Sequence, residues 1–350
     1  MKLKNMILTI FTFAVLLAFA PSVKAAQIPV IKDGKSTTLS GSLVKIRYGK
    51  KTVVSTLGVS SQAKVTAIKI GSHMYVPCKT LFSDNTIKAP CSVKSGKMTL
   101  KYGKRRVVFY PKKAYASVNG RKMNLPAKPF YVTYKKTGVK DLLVPVKQSA
   151  LFLGLKYAYS SKSAGITLAP RKGIDASATQ VSDVSKSAFI KTLGPIARAN
   201  YKRTGVLASV TMAQAILESG WGQSTLAENG NNLFGMKINL SGNNWSGSAW
   251  DGLNYYKKKT YEYSSRGRYT ITAKFRKYSC LEDSVEDHSA YLLNAKNGSR
   301  KRYSGLTSTK SYKKQLQIIK KGGYATSGSY VSDLCKVIRK YNLTKWDKIS

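Results

Sequence analysis

The sequence predicts a multidomain protein: a basic, β-rich (α+β) first half and a mainly α-helical second half. Three observations carry this. The chain has 350 residues, more than one hydrophobic core usually serves. Apolar and polar residues alternate from Gln27 to about Pro170, the period of strands, and then give way to the three- and four-residue spacing of helices. A content of 43% apolar and 10% aromatic residues argues for folded cores rather than a disordered basic chain.

The first element is an expected export signal, residues 1–25. Lys2 and Lys4 precede an apolar run from Met6 to Ala20, and "PSVKA" offers small residues for a cut after Ala25. Fifteen apolar residues are short for a membrane span, and no later run is long enough, so the mature protein is expected outside the cell, secreted or wall-associated. The net charge of +45 falls to +42 when Lys2, Lys4 and Lys24 leave with the signal. Such a field attracts polyanions. Export points away from nucleic acid and toward the anionic polymers of a cell wall, met by a monomer. Cys78, Cys91, Cys280 and Cys335 fit two disulfides in an oxidising compartment. If each domain keeps its own pair, these are Cys78–Cys91 and Cys280–Cys335, with three connectivities and free buried thiols left open. His73 and His288 alone, with no close Cys pair, give no reason to expect a metal or other cofactor.

The second element, residues 27–170, repeats itself loosely. "VKIRYGKKTVV" from Val44 resembles "MTLKYGKRRVV" from Met98, each reading as two strands around a Tyr-Gly-Lys turn. "MYVPCKTLF" from Met74 resembles "LLVPVKQSALFLG" from Leu142, each reading as a strand entering a short helix with Pro near its start. A duplicated unit of about 55–70 residues follows. Its 27 basic residues face only Asp33, Asp84 and Asp141, which leaves no room for paired-carboxylate chemistry and makes this a binding or spacing module. "VNGRKMNLP" and the doubled "VP" resemble the copper amine oxidase N-terminal-like repeat domain. That resemblance implies an accessory module on secreted bacterial proteins and no copper ligation. Residues 171–187 are small and polar and read as a linker.

The third element, residues 188–350, holds the chemistry. In "VLASVTMAQAILESG", Leu207, Val210, Ala213, Ile216 and Leu217 mark one buried helical face, and Gly220 suits the helix end. Glu218 falls in the last turn, off the centre of that face. There the helix dipole disfavours its charge, and Trp221 and Phe234 can strip its water. Both effects raise a carboxyl pKa, as a general acid working near neutral pH requires, although a surface glutamate at a helix end is common too. "NGNNLFGMK", with Asn232 and Phe234, and "NNWSGSAWDG", with Trp245 and Trp250, combine amides and aromatic faces suited to sugar rings; the same aromatics can fill a core. Glu282, Asp283, Glu286 and Asp287 read as structural acids at a helix start, and His288 has no matched nucleophile.

"AQAILESGWGQSTLAENGNNLFGMK" resembles the signature of the bacterial glucosaminidase family, glycoside hydrolase family 73, of autolytic and flagellar cell-wall hydrolases. "TYEYSSRGRYTITAKFRKYSCLEDSVEDHSAYL" and "GGYATSGSYVSDLCKVIRKYNL" agree in order, so the resemblance covers about residues 185–346. It implies a lysozyme-like fold with a β-hairpin at the cleft, and an endo-β-N-acetylglucosaminidase cutting the β-1,4 bond of the peptidoglycan glycan strand. It places Glu218 as general acid, Glu262 of "TYEY" as the second carboxylate, and Tyr324 of "GGYAT" as the tyrosine facing the cleft. Trp221, Asn232 and Phe234 lie in the motif and, with Trp245 and Trp250, are expected to bind substrate. After "YAT" the family commonly shows Asp where this chain has "SGSY". Glu262 can activate water with inversion, or the substrate acetamido oxygen can attack with Tyr324 in support and configuration retained. The rivals are a lytic transglycosylase or N-acetylmuramidase on the same fold, and a non-catalytic wall-binding protein.

Overall fold

A computed structural model describes residues 25–55, 63–171, 179–180, 185–240, 248–264 and 267–349. The expected export signal, apart from Ala25, lies outside these, as does Trp245. Among the described residues no helix is long and apolar enough to cross a membrane.

The first half is β-rich, as expected. Strands β1 (Ala25–Lys32), β2 (Lys35–Tyr48), β3 (Lys51–Thr52), β4 (Val54–Ser55), β5 (Ala63–Lys64), β6 (Thr66–Ile70) and β7 (His73–Pro77) lead into helix α1 (Cys78–Phe82). Strands β8 (Cys91–Lys94), β9 (Lys97–Tyr102), β10 (Arg105–Phe109), β11 (Tyr115–Val118), β12 (Arg121–Asn124), β13 (Phe130–Tyr134) and β14 (Lys140–Pro145) lead into α2 (Val146–Phe152), followed by β15 (Leu155–Ser160) and β16 (Gly165–Pro170). A nine-stranded sheet runs in the order β1-β13-β14-β7-β6-β2-β16-β15, with β3 on β2, and β8 to β12 form an antiparallel five-stranded meander. Val44, Ile46, Phe82, Leu100, Phe109 and Phe152 share the core that joins them.

The paired motifs occupy matching places. Tyr48 pairs with Lys51 and Tyr102 with Arg105 across turns in which Gly49 and Gly103 take φ of +59° and +56°, and the two tyrosine hydroxyls lie 3.3 Å apart. Strands β7 and β14 pair antiparallel about Val76 and Val144, and each runs through a proline, Pro77 or Pro145, into its helix.

The second half is helical: α3 (Lys186–Thr204), α4 (Ala208–Ser219), α5 (Thr225–Gly230), then a hairpin of β17 (Tyr255–Ser264) and β18 (Gly267–Arg276), α6 (Leu281–Asn294), a short pair β19 (Lys296–Asn297) and β20 (Arg300–Lys301), α7 (Tyr312–Lys321) and α8 (Tyr330–Lys340). Ser185 starts α3 by accepting from the Ala188 amide. Gly194 lets the backbone of α3 lie on the Trp346 ring, where a Cβ would come within 2.2 Å of an indole carbon. Helix α4 runs through the middle, packed by α3, α7 and α8. Leu217, expected on its buried face, is 47% exposed, whereas Ile216 and Ser219 in the same turn are buried, so Leu217 and Glu218 lie on the open side of the last turn.

The halves meet through a buried ionic cluster. Arg105 of β10 is fully buried and its guanidinium donates to both Asp283 carboxylate oxygens at 2.9 and 3.2 Å, to Ser279 and to the Cys280 sulfur. Gly154, at φ +78°, leaves room for that side chain; a Cβ there would lie 2.7 Å from Nε. Arg171 donates to Asp283 at 2.6 Å and lies 3.6 Å from Glu286. Burial opposes charge on Asp283, but Arg105 and Arg171 outweigh it and hold the carboxyl well below the usual range. The expected linker is therefore bound in at its described residues. Thr179 donates twice to Glu282, and Gln180 reaches Ser279, Asn231 and Arg121. Asn254, at the base of the hairpin, exchanges two hydrogen bonds with the backbone of Asn124.

All four cysteines are free, so the two expected disulfides are not formed in this structure. Cys280 begins α6 beneath Arg105, whereas Cys335 is buried within α8 in the helical core, so each thiol packs against a different set of neighbours. Cys78 is buried beside Cys91, and burial first, then Cys91, push its thiol pKa up.

The Asp283→Asn variant leaves two buried guanidinium groups without their shared counter-charge and should lose about 3–5 kcal/mol. Thermal melts should show this as a lower Tm, partly recovered when Arg105→Met removes one stranded cation.

Candidate active site

The site grows from the end of α4. Gly220, Trp221 and Gly222 all take left-handed backbone, at φ +55°, +66° and +81°. Glycine adopts this freely, whereas at Trp221 it costs on the order of 1–3 kcal/mol. Ser219 holds the turn: its hydroxyl donates to the Ala215 carbonyl and accepts from the Gly222 amide at 2.8 Å. The Ser219 carbonyl accepts from the Ser224 amide, and Ser224 caps α5. The helix thus stops just after Glu218, which stands exposed next to the buried Ser219. Surrounding protein still displaces enough water to raise its carboxyl pKa.

Two phenols are close enough to feel its charge. Burial first, and then the charge of Glu218, raise the pKa of Tyr324; Tyr330 is also raised, chiefly by burial, with Glu218 adding to it. Tyr330 accepts from Gln214, one turn before Glu218, at 2.9 Å. The Tyr324 hydroxyl lies 3.1 Å from Nε2 of His288, on α6. His288 is fully buried, with its ring stacked on Phe234 at 3.9 Å and 7°, and burial lowers its pKa to about 3. The imidazole is therefore neutral, with one N–H. Its Nδ1 has no hydrogen-bond partner. A buried lone pair is cheaper to strand than a buried N–H, which favours the tautomer with hydrogen on Nε2. Nε2–H then donates to Tyr324, and the phenol keeps its own proton to donate elsewhere.

The neighbouring charges on α6 are consumed. Asp287, fully buried, accepts from Arg276 at 2.6 Å, from Tyr278 at 2.8 Å and from Ser248. The four acids of α6 all have protein partners, in line with the structural reading, with Arg171 shared by Asp283 and Glu286.

Of the expected site residues, Glu218, Tyr324 and Phe234 come together, Phe234 through His288 and as a core residue. Asn232 is buried, and its amide serves the backbone, donating to the Met236 and Arg276 carbonyls and accepting from the Met236 amide. The Trp221 ring packs on Tyr341 at 4.7 Å and Phe189 at 6.2 Å beneath Lys186, between the start of α3 and the end of α8. Trp250 donates to the Asn254 carbonyl and carries the Arg276 guanidinium over its face. All three side chains have protein partners, Asn232 buried and the two indoles partly exposed. Glu262 is placed by its backbone alone, opposite Tyr269 in the hairpin. Sequence reasoning weighed His288 and set it aside for want of a nucleophile, and did not single out Tyr330 or Gln214. Gln214 could have been found, since i and i+4 spacing puts it on the Glu218 side of α4.

Residues 194–343 match the glucosaminidase family model, described as mannosyl-glycoprotein endo-beta-N-acetylglucosaminidase. The exo-glucosaminidase LytG of Bacillus subtilis (strain 168) is 35% identical over 162 residues, 46% of this chain and 54% of that protein. The peptidoglycan hydrolase FlgJ of Pseudomonas aeruginosa is 32% identical over 160 residues, 45% of this chain and 37% of that protein. Among solved structures, the catalytic domain of the autolysin Auto from Listeria monocytogenes is similar at 33% identity and a TM-score of 0.40, covering 48% of this chain and 91% of that one. The chain thus spans about half or less of the length of these two curated relatives.

Because His288 is neutral when folded, its contribution to stability is complete above the unfolded value near pH 6.5 and is lost as pH falls toward about 3. By pH 5 that loss reaches about 2 kcal/mol. The His288→Phe variant keeps a ring against Phe234, and its Tm should fall less than the wild type's between pH 7 and pH 5. Parallel melting curves would show a titrating His288 instead.

Proposed function

Residues 194–343 belong to the glucosaminidase family, and on that footing we propose that this protein is a peptidoglycan hydrolase cleaving the β-1,4 bond at N-acetylglucosamine, with Glu218 as general acid. The observation that carries the reading is Glu218 itself: an exposed carboxyl with a raised pKa, at the end of a buried helix, with the Tyr324 and Tyr330 phenols near enough to feel its charge. Hydrolysis needs a proton for the leaving oxygen and stabilisation of a cationic sugar. Glu218 supplies the proton. Glu262, carried on the hairpin, is the second carboxylate if water attacks with inversion. In the retaining course the acetamido oxygen attacks, and Tyr324, accepting from His288, turns its hydroxyl proton to the substrate. The family description says endo and the Bacillus subtilis relative is named an exo-glucosaminidase, so the length of the released fragments matters as much as their ends.

The rest of the chain fits an exported wall enzyme. Residues 1–25 act as the signal, residues 27–170 are a duplicated accessory module of the copper amine oxidase N-terminal-like kind, and residues 188–350 form the lysozyme-like domain, working as a monomer. The duplication is supported by the matching turns at Tyr48 and Tyr102 and the antiparallel pairing of β7 with β14. The module binds anionic wall polymers rather than nucleic acid. The outer face of the meander supports this: Lys94 lies opposite Lys97 and Lys101 opposite Arg106, with Lys122 two strands further on. Like charges directly opposite destabilise a sheet, and an anionic partner relieves that cost. Tyr110 and Tyr115 pair at 5.2 Å in the same face, beneath Lys97 and Lys122.

Digestion of purified peptidoglycan, with reduced products read by mass spectrometry, tests the first claim. The expected products end in reduced N-acetylglucosamine, and Glu218→Gln should lower the rate by about 10³-fold, within the range for a general acid. Ends in anhydro-muramic acid would identify a transglycosylase, reduced muramic acid ends a muramidase, and no release from several walls a binding protein. Charge is tested by replacing Lys94, Lys97, Lys101, Arg106 and Lys122 with Gln. Wall binding should weaken and its salt dependence flatten, more than when Lys50, Lys69, Lys136, Lys140 and Lys156 are replaced. Equal effects of the two sets would mean that net charge alone matters.

A further inference from the structure

An open cavity of about 610 Å³ lies between the β19–β20 turn and the end of α7. Arg300, Lys301, Arg302 and Lys321 line it, with Asn297 and Ser304 as the neutral polar groups. From Ser289 to Ser332 the sequence has no acidic residue. Among the described ion pairs none involves any of these four cations. Four uncompensated cations around a concave space repel one another, and the arrangement is relieved by an anion.

The cavity is connected to the site. Arg302 donates to the Tyr291 hydroxyl at 3.1 Å, which fixes its guanidinium, and Tyr291 also accepts from Tyr303 at 3.4 Å. The Tyr303 ring lies against Gly322, where a Cβ would come within 2.4 Å of it. Gly322 lines the cavity, and Tyr324 follows two residues later, so their Cα atoms are at most about 7 Å apart. The wall of the basic cavity at Gly322 is thus two residues along the chain from Tyr324, and the Tyr291–Tyr303 pair joins it to the same helical core.

Taking the hydrolase reading above as its premise, we propose that this cavity is a subsite for a carboxylate of the peptide stem carried by the glycan, so that the enzyme prefers stem-bearing to bare strands. Arginine forks suit carboxylates, and here two arginines and two lysines converge on one cavity whose wall is two residues from Tyr324. A phosphate attached to the strand has related chemistry, and the test separates the two.

The experiment compares kcat/KM of the full chain on three soluble glycans: strands with stems, strands stripped by an amidase, and stem-bearing strands whose carboxylates are amidated. Wild type should favour the first over both others by at least about five-fold, mostly in KM, with the preference shrinking at high salt. In the triple variant Arg300→Gln, Lys301→Gln, Lys321→Gln the preference should collapse toward one. Equal rates on stem-bearing and stripped strands by wild type, or a preference that survives in the variant or on amidated stems, overturns the proposal. So does a preference appearing only on phosphate-bearing strands. If wild type cuts none of the glycans, the hydrolase reading fails, and titration with a free stem tetrapeptide followed by NMR still decides the cavity. Saturable shifts in the arginine Nε–H signals, lost in the triple variant, support it, and their absence ends it.

Discussion

Asp283 is the constraint around which the molecule is arranged. A fully buried carboxylate cannot stay charged without partners, and it takes two guanidinium groups from residues more than 100 positions away in the chain. Arg105 reaches it from the β-rich half and Arg171 from the end of that half's last strand. Neither arginine has another way to be buried, so the ionic cluster fixes how the halves meet. The whole first stretch of α6 obeys the same rule. Glu282 is held by Thr179, Glu286 faces Arg171 and Arg203, and Asp287 takes Arg276 and Tyr278. A helix this polar can sit inside a domain only because four other stretches of chain bring it donors.

That arrangement reaches the candidate site by two routes. Through His288, the next residue on α6, the packed helix sets where the Tyr324 hydroxyl lies. Through Asn254, the base of the hairpin is tied to the meander, so the strand carrying Glu262 starts from a surface shared by both halves. The β-rich half is thus part of the scaffold that supports the hairpin as well as a carrier of charge.

What the sequence made legible was local. The change of period after residue 170, the Tyr-Gly-Lys turns, the Pro-led helices and the end of α4 at Gly220 are all written in neighbouring residues, and Glu218 stood out because its neighbours are wrong for a carboxylate. What it hid was long-range. Asn232 and Trp221 sit in the same motif as Glu218 and have the chemistry of sugar ligands, yet one satisfies buried carbonyls and the other packs between α3 and α8. Composition cannot separate an amide that serves the backbone from one that serves a ligand. Arg171 looked like the start of a flexible linker because its partner, Asp283, is 112 positions away. The cysteines were matched by count and compartment, whereas Cys280 and Cys335 belong to different packing environments.

The strained turn after Glu218 ties these levels together. Three successive left-handed residues, one of them a tryptophan, would not persist on local preference. They persist because the Trp221 ring is clamped by Phe189 and Tyr341 while Ser219 ties the turn to both sides. The effect is to end α4 abruptly. Had the helix continued, the positions after Glu218 would have extended past it and covered the carboxyl. Because the chain turns away, Glu218 keeps an open side and a protein side that raises its pKa. The packing of the Trp221 ring thus supports the backbone turn that leaves Glu218 exposed.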